Sequence, residues 1–440
     1  MIDETSGSHV HLHTQETMRS DIDAHTAAPL ELTGFASRLV DRGLKGLGVA
    51  EQVDAFCRDL FDTGFRASRF NMSIGTLHPR HGAQSYVWRP DGIATELHPR
   101  RRNAEEDEAY QRSPIHHLRT TGGSALRRRL DVVHPDDFPI LVDLREEGMT
   151  DYAATLVRFS EASEGEPRVD KVRAAFDRPD PLQGIFFSCA TDDPSGFNDE
   201  HLHQVNDLLP FLALGVKSRS TFDVAQTLLE TYLGPDAGSR VLTGEIDRNS
   251  VRNIQAVIWL CDLRGFSRTA SRVTQDELIE LLDVYLEVMA RPVLNNRGQI
   301  LKFMGDGFLA TFDLAKRSRE AVCADAVNAA EQLLDTLPAL NSQRRASSKT
   351  TLDLGVAIHI GEVLYGNIGT RERLDFTVVG SAVNEVSRME GLCRPLGRNV
   401  LVSRTVAEAA AASRRKLLSL GVHALRGIRE PQELFTIADA

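Results

Sequence analysis

The chain has 440 residues, with 51 Lys+Arg against 62 Asp+Glu and a formal net charge of −11. At roughly 100–200 residues per domain, this length predicts two to four domains, each able to bury a core. The 42% hydrophobic and 26% charged content excludes a chain disordered throughout. The acidic balance argues against a general nucleic-acid binder, which needs a net basic face for phosphates.

Five cysteines, Cys57, Cys189, Cys261, Cys323 and Cys393, are scattered and free of any C-x-x-C spacing. That argues against a disulfide framework or a thiolate zinc site and favours a reducing, cytoplasmic setting. The opening Met-Ile-Asp-Glu-Thr-Ser is acidic where a secretory leader is basic and then apolar. No apolar run reaches the ~20 residues of a membrane span. The longest, Leu208–Val216, is short and contains Pro210.

Residues 1–28 are polar and lack a helical or strand period, which predicts a disordered tail over 1–30. His9, His11 and His13 alternate within it, but a metal site needs an ordered scaffold. From Phe35 to Phe61, apolar residues recur at helical spacing and predict one or two helices over 32–63. Strand-like runs follow at Ser68–Leu77 and Ser85–Trp88, the second closed by an Arg-Pro-Asp-Gly turn.

The segment 97–130 is polar and carries two arginine runs, Arg100–Arg102 and Arg127–Arg129. These are expected to be solvated surface, with a phosphate or partner site as the alternative. After a turn at Pro135-Asp136-Asp137, a helix over about 137–147 ends at Gly148, and Tyr152–Phe159 and Gly184–Ala190 form strands. Asn198 caps a long helical stretch that is broken or kinked near Pro210 and stops at Gly234-Pro235. The run Ile185–Ala190, Gly196-Phe197 and the following helix resemble the end of a GAF-type sensory domain. An α+β dimerisation module without a ligand is the alternative.

Chemistry concentrates after residue 250. Ala256–Leu260 is an apolar β-type run leading into Cys261-Asp262-Leu263-Arg264-Gly265-Phe266-Ser267 and then a capped helix over Thr274–Met289. A carboxylate at the end of a buried strand, beside a Gly turn and a helix start, suits a hard cation and phosphates. Forty-four residues on, Asp306 sits in a Gly305-Asp306-Gly307 hairpin turn between two apolar runs. Either aspartate alone is ordinary turn chemistry; together they point to two-metal phosphoryl transfer. A third strand, Leu354–Ile360, leads through a Gly-containing segment to Asn384 and Arg388. Spaced i, i+4, these share one helix face, an amide and a guanidinium suited to ribose and phosphate. The alternative is an exposed pair making local contacts.

In order, Asp262-Leu-Arg-Gly-Phe-Ser, Lys302-Phe-Met-Gly-Asp306, Phe376-Thr-Val-Val-Gly, Asn384-x-x-x-Arg388 and Leu425-Arg-Gly-Ile-Arg-Glu-Pro-Gln-Glu-Leu-Phe resemble the catalytic domain of class III adenylate/guanylate cyclases. The resemblance covers about two-fifths of the chain. It implies an α+β fold class: a ferredoxin-like, palm-type cyclase domain with an antiparallel-rich sheet and flanking helices over 249–440. A helical connector over 216–248 would join it to a GAF-like α+β domain over 31–215.

The resemblance further implies two Mg²⁺ or Mn²⁺ ions held by Asp262 and Asp306, with the Leu263 backbone as a further ligand. Gly265 and Phe266 would wrap the triphosphate, and Lys302 and Thr377 would read the purine. Lys with Thr favours ATP, since guanylate members carry Glu and a small or Cys residue. Asn384 would orient the ribose and Arg388 would stabilise phosphate charge. Arg426 stands where the family usually carries a Lys, which keeps the charge and changes its geometry. Arg371 or Arg373 are further candidates near the phosphates. Sites of this family form between two catalytic domains, which implies a homodimer regulated at its N-terminal domain by a small molecule or protein. Guanylate cyclase and a non-catalytic nucleotide-binding signalling scaffold are the alternatives. A diguanylate cyclase would need a Gly-Gly-Asp/Glu-Glu-Phe sequence that Met304–Phe308 does not provide.

Overall fold

A computed structural model describes residues 32–99, 104–132, 138–159, 184–248, 250–315, 317–410 and 416–438. The expected tail with His9, His11 and His13, the Arg100–Arg102 run and the Pro135-Asp136-Asp137 turn lie outside the described residues. The chain divides into two compact units between Phe222 and Asp223. Among the described residues, no helix is long and apolar enough to cross a membrane.

The first unit opens with helices α1 (Leu32–Leu44) and α2 (Val49–Asp62), whose apolar residues recur at the helical period. Strands β1 (Arg69–Gly75), β2 (His81–Arg89) and β3 (Gly92–Pro99) follow, then helices α3 (Ala104–Gln111) and α4 (Pro114–Thr121) and strand β4 (Ala125–Arg129). Helix α5 (Pro139–Glu146), β5 (Asp151–Arg158) and β6 (Gly184–Thr191) complete a six-stranded sheet in the order β3-β2-β1-β6-β5-β4, antiparallel throughout. Strand alternation sends Phe70, Met72 and Phe187 to one face against α1, α2 and the long helix α6 (Asp199–Leu233). Tyr152, Ala154 and Phe186 pack on the opposite face with Leu118 of α4 and Leu141 and Leu144 of α5. A cavity of about 240 Å³ lies between β4–β6 and α6, lined by Leu126, Phe187, Cys189, Asn206 and Leu209 among others.

Two expectations for this unit need correction. The Arg127–Arg129 run is not merely solvated surface. Arg127 lies on β4 and pairs with the fully buried Asp151 carboxylate at 2.7 Å, with Asp199 and with the Phe197 carbonyl. Arg129 donates to the Ser195 and Pro194 carbonyls. Nor does Pro210 break the long helix, which runs unbroken from Asp199 to Leu233. Burial of Leu208, Leu209, Leu212 and Ala213, worth about 2 kcal/mol for each large side chain, outweighs the roughly 3 kcal/mol that an internal proline costs.

The second unit begins within α6 and includes α7 (Pro235–Leu242). Ala237 and Val241 of α7 pack into its core, and Asp236 accepts from the Tyr365 hydroxyl at 2.8 Å. The chain then forms β7 (Val251–Arg264), α8 (Phe266–Ala270), α9 (Gln275–Asn295), the hairpin β8 (Gln299–Met304) and β9 (Gly307–Asp313), α10 (Arg319–Ala346) and β10 (Asp353–Gly369). The strand order β10-β7-β9-β8 with antiparallel ladders is the β-α-β-β-α-β, ferredoxin-like arrangement. Strand β10 exceeds the expected Leu354–Ile360, running on through the glycines to Gly369 and turning into β11 (Leu374–Val379). Helix α11 (Ser381–Cys393), β12 (Val400–Ser403), α12 (Arg404–Ala409), β13 (Leu417–His423) and β14 (Gln432–Ile437) follow, β12 pairing parallel to β10.

Alternation along β7 splits the core. Val257, Trp259, Cys261 and Leu263 face α9 and α10, while Ile258 and Leu260 face the opposite cluster formed with α11. Asp262, in phase with Ile258 and Leu260, therefore faces the α11 side.

Candidate active site

The site is built from strand ends and one helix. Asp262, near the end of β7, stands between two glycines in register, Gly307 on β9 and Gly355 on β10. These glycines make room. A Cβ on Gly307 would lie 2.1 Å from the Cys261 carbonyl and 2.9 Å from Asp262 Oδ1, and one on Gly355 would lie 2.4 Å from Glu390 Oε1. Asp306 occupies the tight turn between β8 and β9, where Gly305 takes φ 65°, and its charge acts on the neighbouring Asp262 carboxyl.

Burial first, then the neighbouring Asp306 and Glu390 charges, push the Asp262 carboxyl up to about 6, while the Leu263 N–H opposes that rise. Glu390 on α11 is itself raised by burial, partly offset by the Arg264 guanidinium. Arg264 in turn donates to Asn399 Oδ1 at 3.0 Å and to the Arg398 carbonyl. Crowded carboxylates that resist ionisation beside one another are the electrostatic counterpart of a cation site.

The residues fit a hard divalent ion. Two carboxylates and a backbone oxygen at Leu263 are oxygen donors, and Mg²⁺ is commonly held by one or two carboxylates with substrate phosphates completing the shell. Among the described residues, no group of three His, Cys, Asp or Glu is arranged to hold an ion.

Gly265 has φ 78° and turns the chain into the five-residue α8, where Phe266 packs against the core beside α9. Helix α9 is fixed by a reciprocal cap in which Glu277 N–H donates to Thr274 Oγ1 and Thr274 N–H to Glu277 Oε2. Lys302 on β8 makes an ion pair with Asp375 on β11. Thr377, two residues beyond Asp375, is half-buried on the same side of β11, and Phe376 and Val378 are buried on the other.

Asn384 and Arg388 share the exposed face of α11, opposite Ala382, Val386, Met389 and Cys393. Arg371 and Arg373 are exposed in the turn from β10 to β11, and Arg426 is exposed in the turn before β14. The structure thus brings Asp262 and Asp306 together, and separately brings Lys302 to the strand that carries Thr377. It directs Asn384 and Arg388 away from the sheet of their own unit.

Two residues at this site escaped the sequence reading. Glu390 falls with Val386 and Cys393 in the apolar stripe of α11, and a carboxylate within such a stripe is the signal that finds it. Asp375 shares the strand period of Thr377. Beneath α11, His359 on β10 has Nε2 3.4 Å from Glu385 Oε2 and an unpartnered Nδ1. Burial holds its imidazole down to about 4.

Residues 250–439 match the family of adenylate and guanylate cyclase catalytic domains. An adenylate cyclase of Anabaena cylindrica is 32% identical over 37% of this chain and 32% of its own. The terminal-differentiation-specific adenylate cyclase of Dictyostelium discoideum is 32% identical over 42% of this chain and 8% of its own. This chain therefore spans a third or less of the length of these relatives. The adenylyl cyclase CyaB of P. aeruginosa, a solved structure, aligns with 43% of this chain and 97% of its own at 24% identity and a TM-score of 0.40.

Proposed function

We propose that the second unit converts ATP to 3′,5′-cyclic AMP and pyrophosphate, as a homodimer regulated by the first unit. The observation that carries this reading is the Asp262–Asp306 carboxylate pair on adjoining strand ends in a domain of cyclase type. The ribose 3′-hydroxyl gives up its proton to solvent as its oxygen attacks the α-phosphorus, and the bond from that phosphorus to the α–β bridging oxygen breaks, releasing pyrophosphate. Two Mg²⁺ or Mn²⁺ ions, when bound, supply Lewis acidity toward the 3′-hydroxyl and neutralise the triphosphate.

Asp262, Asp306 and the Leu263 carbonyl are the holders of those ions. Asp262 does so ionised, so binding strengthens as pH rises through about 6. The backbone at Gly265 and Phe266 receives the triphosphate. Asn384 orients the ribose, and Arg388 offsets charge as it develops on the phosphate, commonly a large catalytic contribution. Arg426 contributes a second cation. Lys302 donates toward adenine N1, and Thr377 accepts from the N6 amino group. The outward face of α11 supports a site shared by two copies, in which Asn384 and Arg388 of one serve Asp262 and Asp306 of the other.

A regulatory, GAF-like role for the first unit is supported by its antiparallel six-stranded sheet with helices on both faces and by its largely apolar cavity. The test of the reaction is product analysis of purified full chain given ATP and GTP separately with Mn²⁺. Cyclic AMP formed faster than cyclic GMP is the expected result. A preference for GTP overturns the purine assignment, and a folded dimer that forms neither product is a nucleotide-binding scaffold.

A further inference from the structure

We infer that the cavity beneath α6 is a binding site for a neutral, mostly apolar small molecule of about ten non-hydrogen atoms that carries one hydrogen-bond acceptor. The inference concerns the first unit alone and does not depend on the catalytic reading.

The cavity follows from the order of side chains across the sheet. Register pairs place Arg127, Ala153, Cys189 and Phe70 in one row over β4, β5, β6 and β1, and Ala125, Thr155 and Phe187 in the next. Both rows line the cavity. Beyond each phenylalanine the row continues in short side chains, at Cys189 and Ala153 in the first and at Thr155 and Ala125 in the second. Above them α6 presents Leu202, Val205, Asn206 and Leu209, spaced at i, i+3, i+4 and i+7 on one helix face. The short side chains do not fill the layer between strand and helix.

Two polar ties hold α6 at that height. Thr155 Oγ1 donates to Asn206 Oδ1 at 2.7 Å. Arg127 reaches Asp199, the first residue of α6, and donates to the Phe197 carbonyl at 2.6 Å while it pairs with the buried Asp151. Protein interiors otherwise pack to a density of about 0.74, with few spaces larger than a water. The cavity of about 240 Å³ exceeds the roughly 150 Å³ of an apolar cavity that takes up benzene. It falls short of the ~300 Å³ at which sites for drug-sized molecules begin. Such a space admits a small molecule and excludes a nucleotide.

The lining sets the chemistry. Arg127 carries its charge, and Asp151 and Asp199 already answer that charge, so an ionic ligand finds no free counter-ion. Asn206 supplies the polar contact. Its Oδ1 is taken by Thr155, and among the described residues nothing accepts from its Nδ2. Two N–H donors beside an apolar wall call for a hydroxyl, carbonyl or ether oxygen. Four of the lining residues belong to α6, so the occupant's contacts fall on the helix that continues to Leu233.

The experiment is calorimetric titration of the purified full chain with nonanol, which matches the cavity in size, and with nonanoate and nonylamine as its charged counterparts. One nonanol is expected to bind per chain, at least tenfold more tightly than either counterpart. Ala153→Leu fills the cavity from β5 and Ala125→Leu from the edge strand, and each should weaken nonanol at least tenfold. Ala125 is exposed, so its variant keeps the test open even where Ala153→Leu fails to fold. Asn206→Leu, which removes the donor, should weaken nonanol by about three- to tenfold. No binding to wild type overturns the inference, as does unchanged affinity in Ala125→Leu and Ala153→Leu, which would put nonanol elsewhere on the chain. Charged counterparts that bind as tightly as nonanol overturn the neutral class, and unchanged affinity in Asn206→Leu overturns the role of the acceptor. A chain that binds nonanol in this pattern yet forms no cyclic nucleotide upholds the site and overturns the proposed reaction.

Discussion

Asp262 has a carboxyl raised to about 6, first by burial and then by Asp306 and Glu390. A folded-state pKa above the unfolded value near 3.9 means the ionised side chain opposes folding at pH above 6. That opposition is relieved as pH falls from 6 toward 4. Without metal, Asp262→Asn should therefore melt higher than wild type at pH 7.5, the difference vanishing near pH 4. Added Mn²⁺ should raise the wild-type midpoint and leave the variant unchanged, and turnover should fall more than a hundredfold. Thermal scans with chelator and then with Mn²⁺ check each sign.

His359 runs the other way. Its imidazole is held down to about 4, so the unfolded chain takes up a proton between pH 6.5 and 4 that the folded chain refuses. Stability is full above 6.5 and declines by about 3 kcal/mol toward pH 4. His359→Leu should flatten that acid limb, measured by urea unfolding at several pH values.

At the scale of elements, β4 shows what a charged strand needs. Ala125–Arg129 reads as surface because three of its five residues are arginines. Its strand character comes from β5, whose Asp151 lies 24 residues away and is wholly buried. Arg127→Ala leaves that carboxylate without its guanidinium, at a cost of about 3 kcal/mol or more, visible as a lower urea midpoint of the first unit. The N–H of Phe197, which also donates to Asp151 at 3.0 Å, is retained in that variant.

The second unit was more legible, since its chemistry sits where apolar runs meet glycine. The strand carrying Asp262, the hairpin turn carrying Asp306 and the helix carrying Asn384 and Arg388 all follow from local pattern. Residues 361–369 did not, because their glycines dilute strand propensity while fourteen register pairs with β7 hold β10 extended. The Lys302–Asp375 contact was invisible for a related reason: it depends on strands with no shared ladder.

For the whole molecule, the position of α7 decides how regulation is measured. Asp236 and Ala237 are fastened to the second unit, and Asn367 donates to the Glu245 carbonyl at 2.6 Å. A shortened chain that begins near residue 240 would lose part of that support. One beginning at Asp223 keeps it, and its specific activity should differ from that of the full chain at equal dimer concentration. Equal activity would remove the regulatory role from the first unit.

The five cysteines have a use beyond compartment. All are buried: Cys57 and Cys189 in the first unit, Cys261 and Cys323 under α9 and α10, and Cys393 under the opposite face. Burial pushes the thiols of Cys189, Cys261 and Cys393 up to about 12 and that of Cys323 to about 11. The native chain should therefore be inert to alkylating reagents, and each thiol should become reactive only when its own core opens. Timed alkylation followed by peptide mass analysis then gives the chain five internal clocks, two ticking with the first unit and three with the second.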